Sequence, residues 1–598
     1  MEETRKINSK DKNLIIIGIA SFLIFYIINN FIYRLYFNYD LTETFNIISF
    51  FTQPYISLNK TVFLLSTIIT IAIMLYMLYQ QSKIKKSKYF NVEHGSAKWA
   101  NLSEIKPFEN DTPEKNILIS KNLKVNADFM AKAPKYARNK NILVIGGSGT
   151  GKTRFFVKPN LMQMYGSYIV TDPKGSLIEE TGHMFNKNKY DIKVLNLKDL
   201  RISMKYNPFF YIKTELDILS FVNALMENTK GEGEKSGEDF WVNAERMYFQ
   251  ALIGYMMEVK DPDEQNINTL LDLINMGGID SDGNVKEELE ELFTDLEAIK
   301  GEDSFAIRQY KKFKQGAGDT LRSILISVSA RTSVFDIAEI RDLLSEDELN
   351  LYTIAKRPTV FFIIIKDTDF TLQFIASILY TQLMDILVNQ ADSLPNSRFE
   401  KPVQFILDEF ANTGKIPNFE KLIATIRSRN ISAIPILQSK GQLEGMYQKK
   451  SEILVDNCDS YLFLGSKGKS TLKDLSEELG KTSIEFETQN VSFDKGNKKS
   501  YSRNKSKASR ELMTSDELAR LDNNYCIYQL RGVAPFIDLK YPLENHKNYH
   551  LLSDDGHSNK FNIENYLINK KSEELMFDHS SYDGVEIFIL GEFNDWIN

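Results

Sequence analysis

Two uncharged runs open the chain: Lys12 to Arg34 encloses LIIIGIASFLIFYIINNFIY, and Lys60 to Lys83 encloses TVFLLSTIITIAIMLYMLYQQ. At about 1.5 Å per helical residue each can cross a hydrocarbon layer of about 30 Å. They predict membrane-spanning helices at about 13–33 and 61–82. The first run ends without a small-x-small cleavage pattern and is followed by a second span, which disfavours a signal peptide. Arg5, Lys6, Lys10 and Lys12 precede the first span, and Lys83, Lys85, Lys86 and Lys88 follow the second. By the positive-inside rule, the N-terminus and everything beyond Lys83 are expected to be cytoplasmic, with a short outside loop between the spans.

Beyond the spans the period changes. The runs NILVIGG (141–147), SYIVT (167–171), IKVLNL (192–197), TVFFIII (359–365), VQFILDE (403–409), SAIPIL (432–437) and SYLFLG (460–465) read as buried strands of a parallel sheet. Alternation with helical stretches makes this an α/β domain with helices on both faces. From about 210 to 345 helical periodicity takes over, as in FWVNAERMYFQALIGYMMEV and GDTLRSILISVSARTSVF, and predicts an inserted all-α domain. Within it Phe240 and Trp241 read as core aromatics, and the acidic stretch 287–303 as a solvated helix face. The stretch 484–510, carrying Lys495, Lys498, Lys499, Arg503, Lys505, Lys507 and Arg510, reads as a flexible polar loop, with contact to a polyanion as the second reading.

The 598 residues provide for several domains and a core that needs no cross-links. With 73 Lys plus Arg against 80 Asp plus Glu, the net charge of -7 excludes a uniformly basic nucleic-acid coat, so any polyanion must be met locally. Two cysteines, Cys458 and Cys526, exclude a disulfide framework or a multi-cysteine zinc site and read as small buried apolar residues.

Gly146-Gly147-Ser148-Gly149-Thr150-Gly151-Lys152-Thr153 has the G-x-x-x-x-G-K-[ST] spacing between a strand and a helix. Such a loop turns backbone N–H groups onto the phosphates of ATP, Lys152 reaches the β and γ phosphates, and the Thr153 hydroxyl ligates Mg2+. VQFILDE ends a strand with two carboxylates: Asp408 for the metal shell, Glu409 to orient or deprotonate water. Gln438, after SAIPIL, is a candidate γ-phosphate sensor, and Arg427 and Arg429 are candidates to neutralise phosphoryl charge across a subunit boundary. Asp172-Pro173-Lys174-Gly175 is a coupling element or a simple turn.

HGSAKWA (94–100), GGSGTGKT, DPKG, DFWVNAE (239–245), LDEFANTG (407–414), ATIRSRNISAIPILQS (424–439) and SEELGKTS (476–483), in this order, resemble the type IV secretion coupling proteins, the conjugative DNA-transfer ATPases of the TraG/TraD class. The resemblance covers about residues 90–540. It implies a RecA-like P-loop NTPase, a membrane anchor, and a homo-hexameric ring that hands single-stranded DNA with its relaxase, or another secreted protein, to the type IV secretion channel. It also implies that Lys152 and Thr153 form the Walker A pair, Asp408 and Glu409 the Walker B pair, that Gln438 is the glutamine of the third motif, and that Arg427, eleven residues earlier, is the arginine offered to the neighbouring subunit. The expected organisation is a two-helix transmembrane anchor (1–90), an NTPase domain in two parts (91–209 and 346–548) around the all-α insertion (210–345), and an extension (549–598) without a readable role. A segregation translocase acting on duplex DNA and a nucleotide-gated substrate receptor are the alternatives.

Overall fold

The computed structural model describes residues 9–37, 56–84, 94–229, 239–278, 285–316, 318–366, 368–369, 371–493 and 499–580. They belong to two compact units: Met1–Ser96 with Lys481–Arg510, and Ala97–Gly480 with Glu511–Asn598.

The larger unit is built on a nine-stranded sheet. A short antiparallel pair, β1 (Asn116–Leu118) and β2 (Lys124–Asn126), precedes it. The sheet strands are β3 (Ile142–Gly146), β4 (Ser167–Asp172), β5 (Asp191–Asn196), β6 (Thr359–Ile364), β7 (Val403–Leu407), β8 (Ile431–Leu437), β9 (Ser460–Gly465), β12 (Tyr525–Leu530) and β13 (Phe536–Leu539). Their order is β13-β12-β9-β3-β8-β7-β4-β6-β5. From β9 to β5 all pairs are parallel, while β12 runs antiparallel to both β9 and β13, so the sheet is mixed. Every residue of β3, β4 and β7 is buried, the reason these strands read as unbroken apolar runs. Side chains divide between two cores by the period of two: Leu143 and Ile145 enter one, Ile142 and Val144 the other.

The register brings three strand ends level. Ile145 pairs with Leu437, and Leu407 with Pro435. Gly146, Gln438 and Asp408 therefore emerge together at the C-terminal edge, with β8 between the strands that carry the other two.

Between β5 and β6 the described residues form only helices, chiefly Glu215–Asn228, Asp239–Val259, Ile267–Met276, Glu287–Lys300, Phe305–Phe313 and Gly318–Thr332. Tyr248, Phe249, Leu252, Phe293 and Tyr310 fill their core. On the acidic helix only Leu289, Phe293 and Leu296 are buried, as a solvated face requires. Phe240 and Trp241 are not core residues: they are 60% and 36% exposed, stacked edge to face at 5.5 Å. Their helix is fully buried only from Ala244 onward, and in its first turn Val242 packs partly on the cluster while Phe240 and Trp241 stay outside it. Apolar character alone did not reveal where the opposing surface ends.

The described part of the C-terminal extension is bound into the sheet domain. Phe561 packs on Gly182, where an added Cβ would lie 2.5 Å from its ring. The helix Ile563–Ser580 then reaches the edge strand β5, Tyr566 donating to the Ile192 carbonyl at 3.3 Å and Lys570 to Asp191 at 2.8 Å. A covered edge cannot template further strand pairing.

In the smaller unit, helices Ser9–Tyr36 and Lys60–Ile84 meet through Asn29, which donates to the Ser66 hydroxyl at 3.3 Å and accepts from the Ser57 N–H at 2.7 Å. Among the described residues one helix has a stretch long and apolar enough to cross a membrane, Lys60–Met77, with mean hydropathy 1.9. The stretch 484–510 is not a flexible loop. It forms a two-stranded ribbon of β10 (Lys481–Phe493) and β11 (Lys499–Glu511), with Lys495 and Lys498 outside the described residues. Alternation in Ile484, Phe486 and again Val491, Phe493 is the strand signal that its polar composition obscured.

Candidate functional site

The loop after β3 wraps because Gly149 and Gly151 adopt φ of +78° and +79°, a region costly for residues with a Cβ. At Gly151 a Cβ would also lie 2.4 Å from the Phe155 ring. The Gly147 N–H donates to the Gly465 carbonyl at 2.8 Å, fixing the loop to the end of β9. Thr153–Val157 continues as one wide π turn before the regular helix Lys158–Met162, a distortion common at functional sites.

Lys152 Nζ lies 3.0 Å from the Gly146 carbonyl and 3.0 Å from Glu409 Oε1. The other Glu409 oxygen accepts from Gln438 Nε2 at 3.1 Å, and Thr153 Oγ1 donates to Asp408 Oδ2 at 2.8 Å. Glu409 has φ of +50°, a left-handed conformation that a non-glycine residue holds only when its surroundings impose it. Burial pushes the Asp408 carboxyl up to about 6, against the Thr153 hydrogen bond that favours its ionised form. These residues, with Asp172 and Lys174, line a cavity of about 530 Å³.

A desolvated carboxylate beside a hydroxyl oxygen suits a hard cation such as Mg2+. Among the described residues no three His, Cys, Asp or Glu side chains cluster as a metal cage, so a cation here would draw its remaining ligands from water and a bound polyphosphate.

Asp172 is a cap. Its carboxylate accepts from the Gly175 N–H at 2.9 Å and the Ile178 N–H at 3.0 Å, starting the helix Ser176–Lys187. Both cysteine thiols are free and raised by burial, that of Cys526 to about 12, as expected of inert residues.

Arg427 is not brought to this constellation. It is exposed at the opposite end of β8, whose seven residues separate it from Gln438 by about 20 Å. Its guanidinium has no hydrogen-bond or ion-pair partner among the described residues. Beside it stands Lys140, whose ammonium is lowered to about 8 by burial and then by the Arg427 charge. Arg429 is engaged, donating to Asp392 at 2.7 Å and to the Thr425 carbonyl at 2.9 Å. Lys540, at the end of β13, carried no sequence signal, yet donates to the Thr150 carbonyl inside the glycine loop at 2.8 Å.

Residues 98–541 match the family described as type IV secretory system conjugative DNA transfer. The chain belongs to this family. The match spans both parts of the sheet domain and the helices between them, and sets aside the segregation alternative. The chain is similar to protein VirD4 of Rhizobium radiobacter, 23% identical over 528 residues that make up 84% of this chain and 71% of the relative. VirD4 of Agrobacterium fabrum is 22% identical over 524 residues, 83% of this chain and 73% of that protein. Among solved structures, the plasmid coupling protein TrwB in complex with ADP and Mg2+ has a TM-score of 0.52 at 15% identity, covering 74% of this chain and 93% of TrwB. TrwB with the ATP analogue ADPNP gives the same values. This likeness shows the fold, an α/β P-loop NTPase.

Proposed function

We propose that this chain is a membrane-anchored ATPase that couples a relaxase-bound single DNA strand, or another secreted protein, to a type IV secretion channel and powers its transfer as a homo-hexameric ring. The observation that carries the proposal is the joining of Lys152, Glu409 and Gln438 in one hydrogen-bonded chain beside Thr153–Asp408, within a family of conjugative DNA transfer. A RecA-like core is supported by β8 lying between the strands of the glycine loop and of Asp408-Glu409. ADP and Mg2+ on TrwB support ATP as substrate and Mg2+ as cofactor here.

In this reading the glycine loop from Gly146 to Thr153 cradles the phosphates, and Lys152 exchanges Glu409 for phosphate oxygens. Thr153 and Asp408 would hold Mg2+, which supplies charge neutralisation to the transferred phosphoryl group. Glu409, freed from Lys152, takes a proton from the attacking water, and Gln438 keeps its carboxylate oriented. Arg427 acts on a neighbouring subunit: it is too far from its own loop and has no side-chain partner among the described residues, whereas Arg429 is held by Asp392.

The domain scheme 1–90, 91–209, 210–345, 346–548 and 549–598 is carried forward with this proposal, the helices of 210–345 serving substrate recruitment. Two membrane passes are supported by the uncharged runs and their flanking lysines, and Lys60–Met77 is long and apolar enough to cross a membrane. They leave the N-terminus and main body in the cytoplasm.

Steady-state ATP hydrolysis by the full chain, with and without single-stranded DNA, tests the motor. Activity that rises with DNA and vanishes in Lys152→Ala is expected, together with co-purification of a relaxase. Hydrolysis at the Lys152→Ala level in an assembled ring would instead leave a nucleotide-gated receptor.

A further inference from the structure

Lys540 is 4% exposed, and its ammonium meets neutral groups only: the Thr150 carbonyl at 2.8 Å, Asn523 Oδ1 at 3.0 Å and the Phe155 ring face at 5.5 Å. Among the described residues no carboxylate lies within ion-pair reach of it. A buried cation normally has a counter-charge, because the desolvation of an ammonium is not offset by carbonyl dipoles alone. The side chain comes from the antiparallel edge of the sheet, where β13 ends at Leu539, and crosses to the loop that follows β3.

The Thr150 carbonyl and the Gly151 N–H belong to one peptide unit. A cation on the oxygen polarises that unit and strengthens its N–H as a donor. Resting on the nucleotide reading above, we propose that Lys540 is a positioning residue for the phosphate site: its charge, applied through the Thr150–Gly151 peptide, supplies a second cation behind the glycine loop whose missing counter-charge is the polyphosphate of the bound nucleotide. Lys152 touches phosphate from the front of the loop. Lys540 acts on the same loop from behind and touches no substrate.

Burial lowers the Lys540 ammonium to about 8, while Cys526 and then Asp522 act in the opposite direction.

The test is the affinity of the full-length protein for MgADP at pH 7, with thermal midpoints measured in parallel. Lys540→Met is expected to bind at least about tenfold more weakly at an unchanged midpoint, the scale of one charge-assisted hydrogen bond. Lys540→Arg is expected to stay within about threefold of wild type, since the charge is restored. Equal affinity of Lys540→Met and wild type, with Lys152→Ala defective, overturns the inference and leaves the nucleotide reading standing. No MgADP binding by wild type overturns the nucleotide reading itself. If Lys540→Met does not fold, wild type and Lys540→Arg at pH 7 and 9 decide: affinity that falls in wild type and holds in the arginine variant supports the inference, and parallel behaviour overturns it.

Discussion

Lys152 Nζ stands 3.0 Å from Glu409 Oε1, so the cation of the glycine loop and the carboxylate beyond β7 neutralise one another, while Gln438 holds the second oxygen at 3.1 Å. In the proposed nucleotide reading, phosphate displaces Glu409 from Lys152 and so releases the carboxylate for water. Glu409→Gln separates these effects. It is expected to lower kcat about 100-fold or more through loss of the base. Binding of a non-hydrolysable ATP analogue should be at least as tight as in wild type, because Lys152 no longer has a competing anion. Weaker binding in a titration would show that the pair does not compete with nucleotide.

Arg427 and Arg429, two positions apart, predict opposite outcomes. Arg429 spends its charge on Asp392, an exposed pair worth less than about 1 kcal/mol, so Arg429→Ala should leave hydrolysis near wild type. Arg427→Ala should lower kcat about 1,000-fold with MgADP affinity of the isolated subunit unchanged. Mixing Arg427→Ala with Lys152→Ala subunits should recover part of the activity, since one composite interface then carries both intact residues. No recovery in mixed rings would remove the trans assignment.

The parallel strands and the glycine loop were legible because strands buried on both faces leave unbroken apolar runs, and the loop motif lies between one such run and a helix. The antiparallel edge was not: β13 is four residues long and half exposed, so its pattern carries little signal. Lys540 was invisible for the same reason, since a single lysine after a short strand looks like any solvated one. The pairing of Arg429 rests on Asp392, thirty-seven positions away in sequence. Such facts belong to tertiary structure, which residue spacing does not encode.

His546 predicts an acid-side loss of stability. Both N–H groups of Gln163 are engaged by carbonyls, its Nε2 donating to Pro113 at 2.9 Å and to Asn116 at 2.6 Å, so its Oε1 must accept from His546 Nε2 at 3.0 Å. Nδ1 meanwhile accepts from the Asn548 N–H at 3.1 Å, which fixes the neutral ring. Burial lowers the imidazole from 6.5 to about 4, so between these values the unfolded chain binds more protons and stability rises with pH. The contribution is complete above about 6.5 and is lost on acidification, on the order of 3 kcal/mol by pH 4. The thermal midpoint of wild type should therefore fall more steeply than that of His546→Gln between pH 7 and 4.5. Parallel slopes would assign the acid sensitivity to other groups.

Gly182 predicts how the C-terminal extension is attached. A Cβ there would lie 2.5 Å from the Phe561 ring, so Gly182→Val should expel Phe561 and expose the surface beneath the extension. Phe561→Ala leaves a cavity instead, at about 3 kcal/mol or more. Both should lower the thermal midpoint and speed proteolytic removal of the helix Ile563–Ser580. Unchanged proteolysis in Gly182→Val would mean that the polar contacts of the extension, those of Lys570 with Asp191, Lys571 with Glu348 and Lys560 with Glu179 among them, hold it without Phe561.

Glu245 and Arg331 form an ion pair with both side chains 3% exposed, Arg331 Nε lying 2.9 Å from Glu245 Oε2. Arg331 Nη1 also donates to the Thr229 carbonyl at 2.7 Å, and the Ser327 hydroxyl donates to Glu245. One guanidinium thus joins the end of Glu215–Asn228, the start of Asp239–Val259 and its own helix Gly318–Thr332. Removing one partner strands a buried charge, so Arg331→Met should cost about 3–5 kcal/mol in urea unfolding. Replacing both charges removes that penalty, so Arg331→Met with Glu245→Leu should be more stable than Arg331→Met alone. A double variant as unstable as the single one would put the energy in the other contacts of Arg331, those to Thr229 among them, rather than in its pair with Glu245. Destabilisation without any change in MgADP affinity would then separate the helical insertion from the nucleotide site.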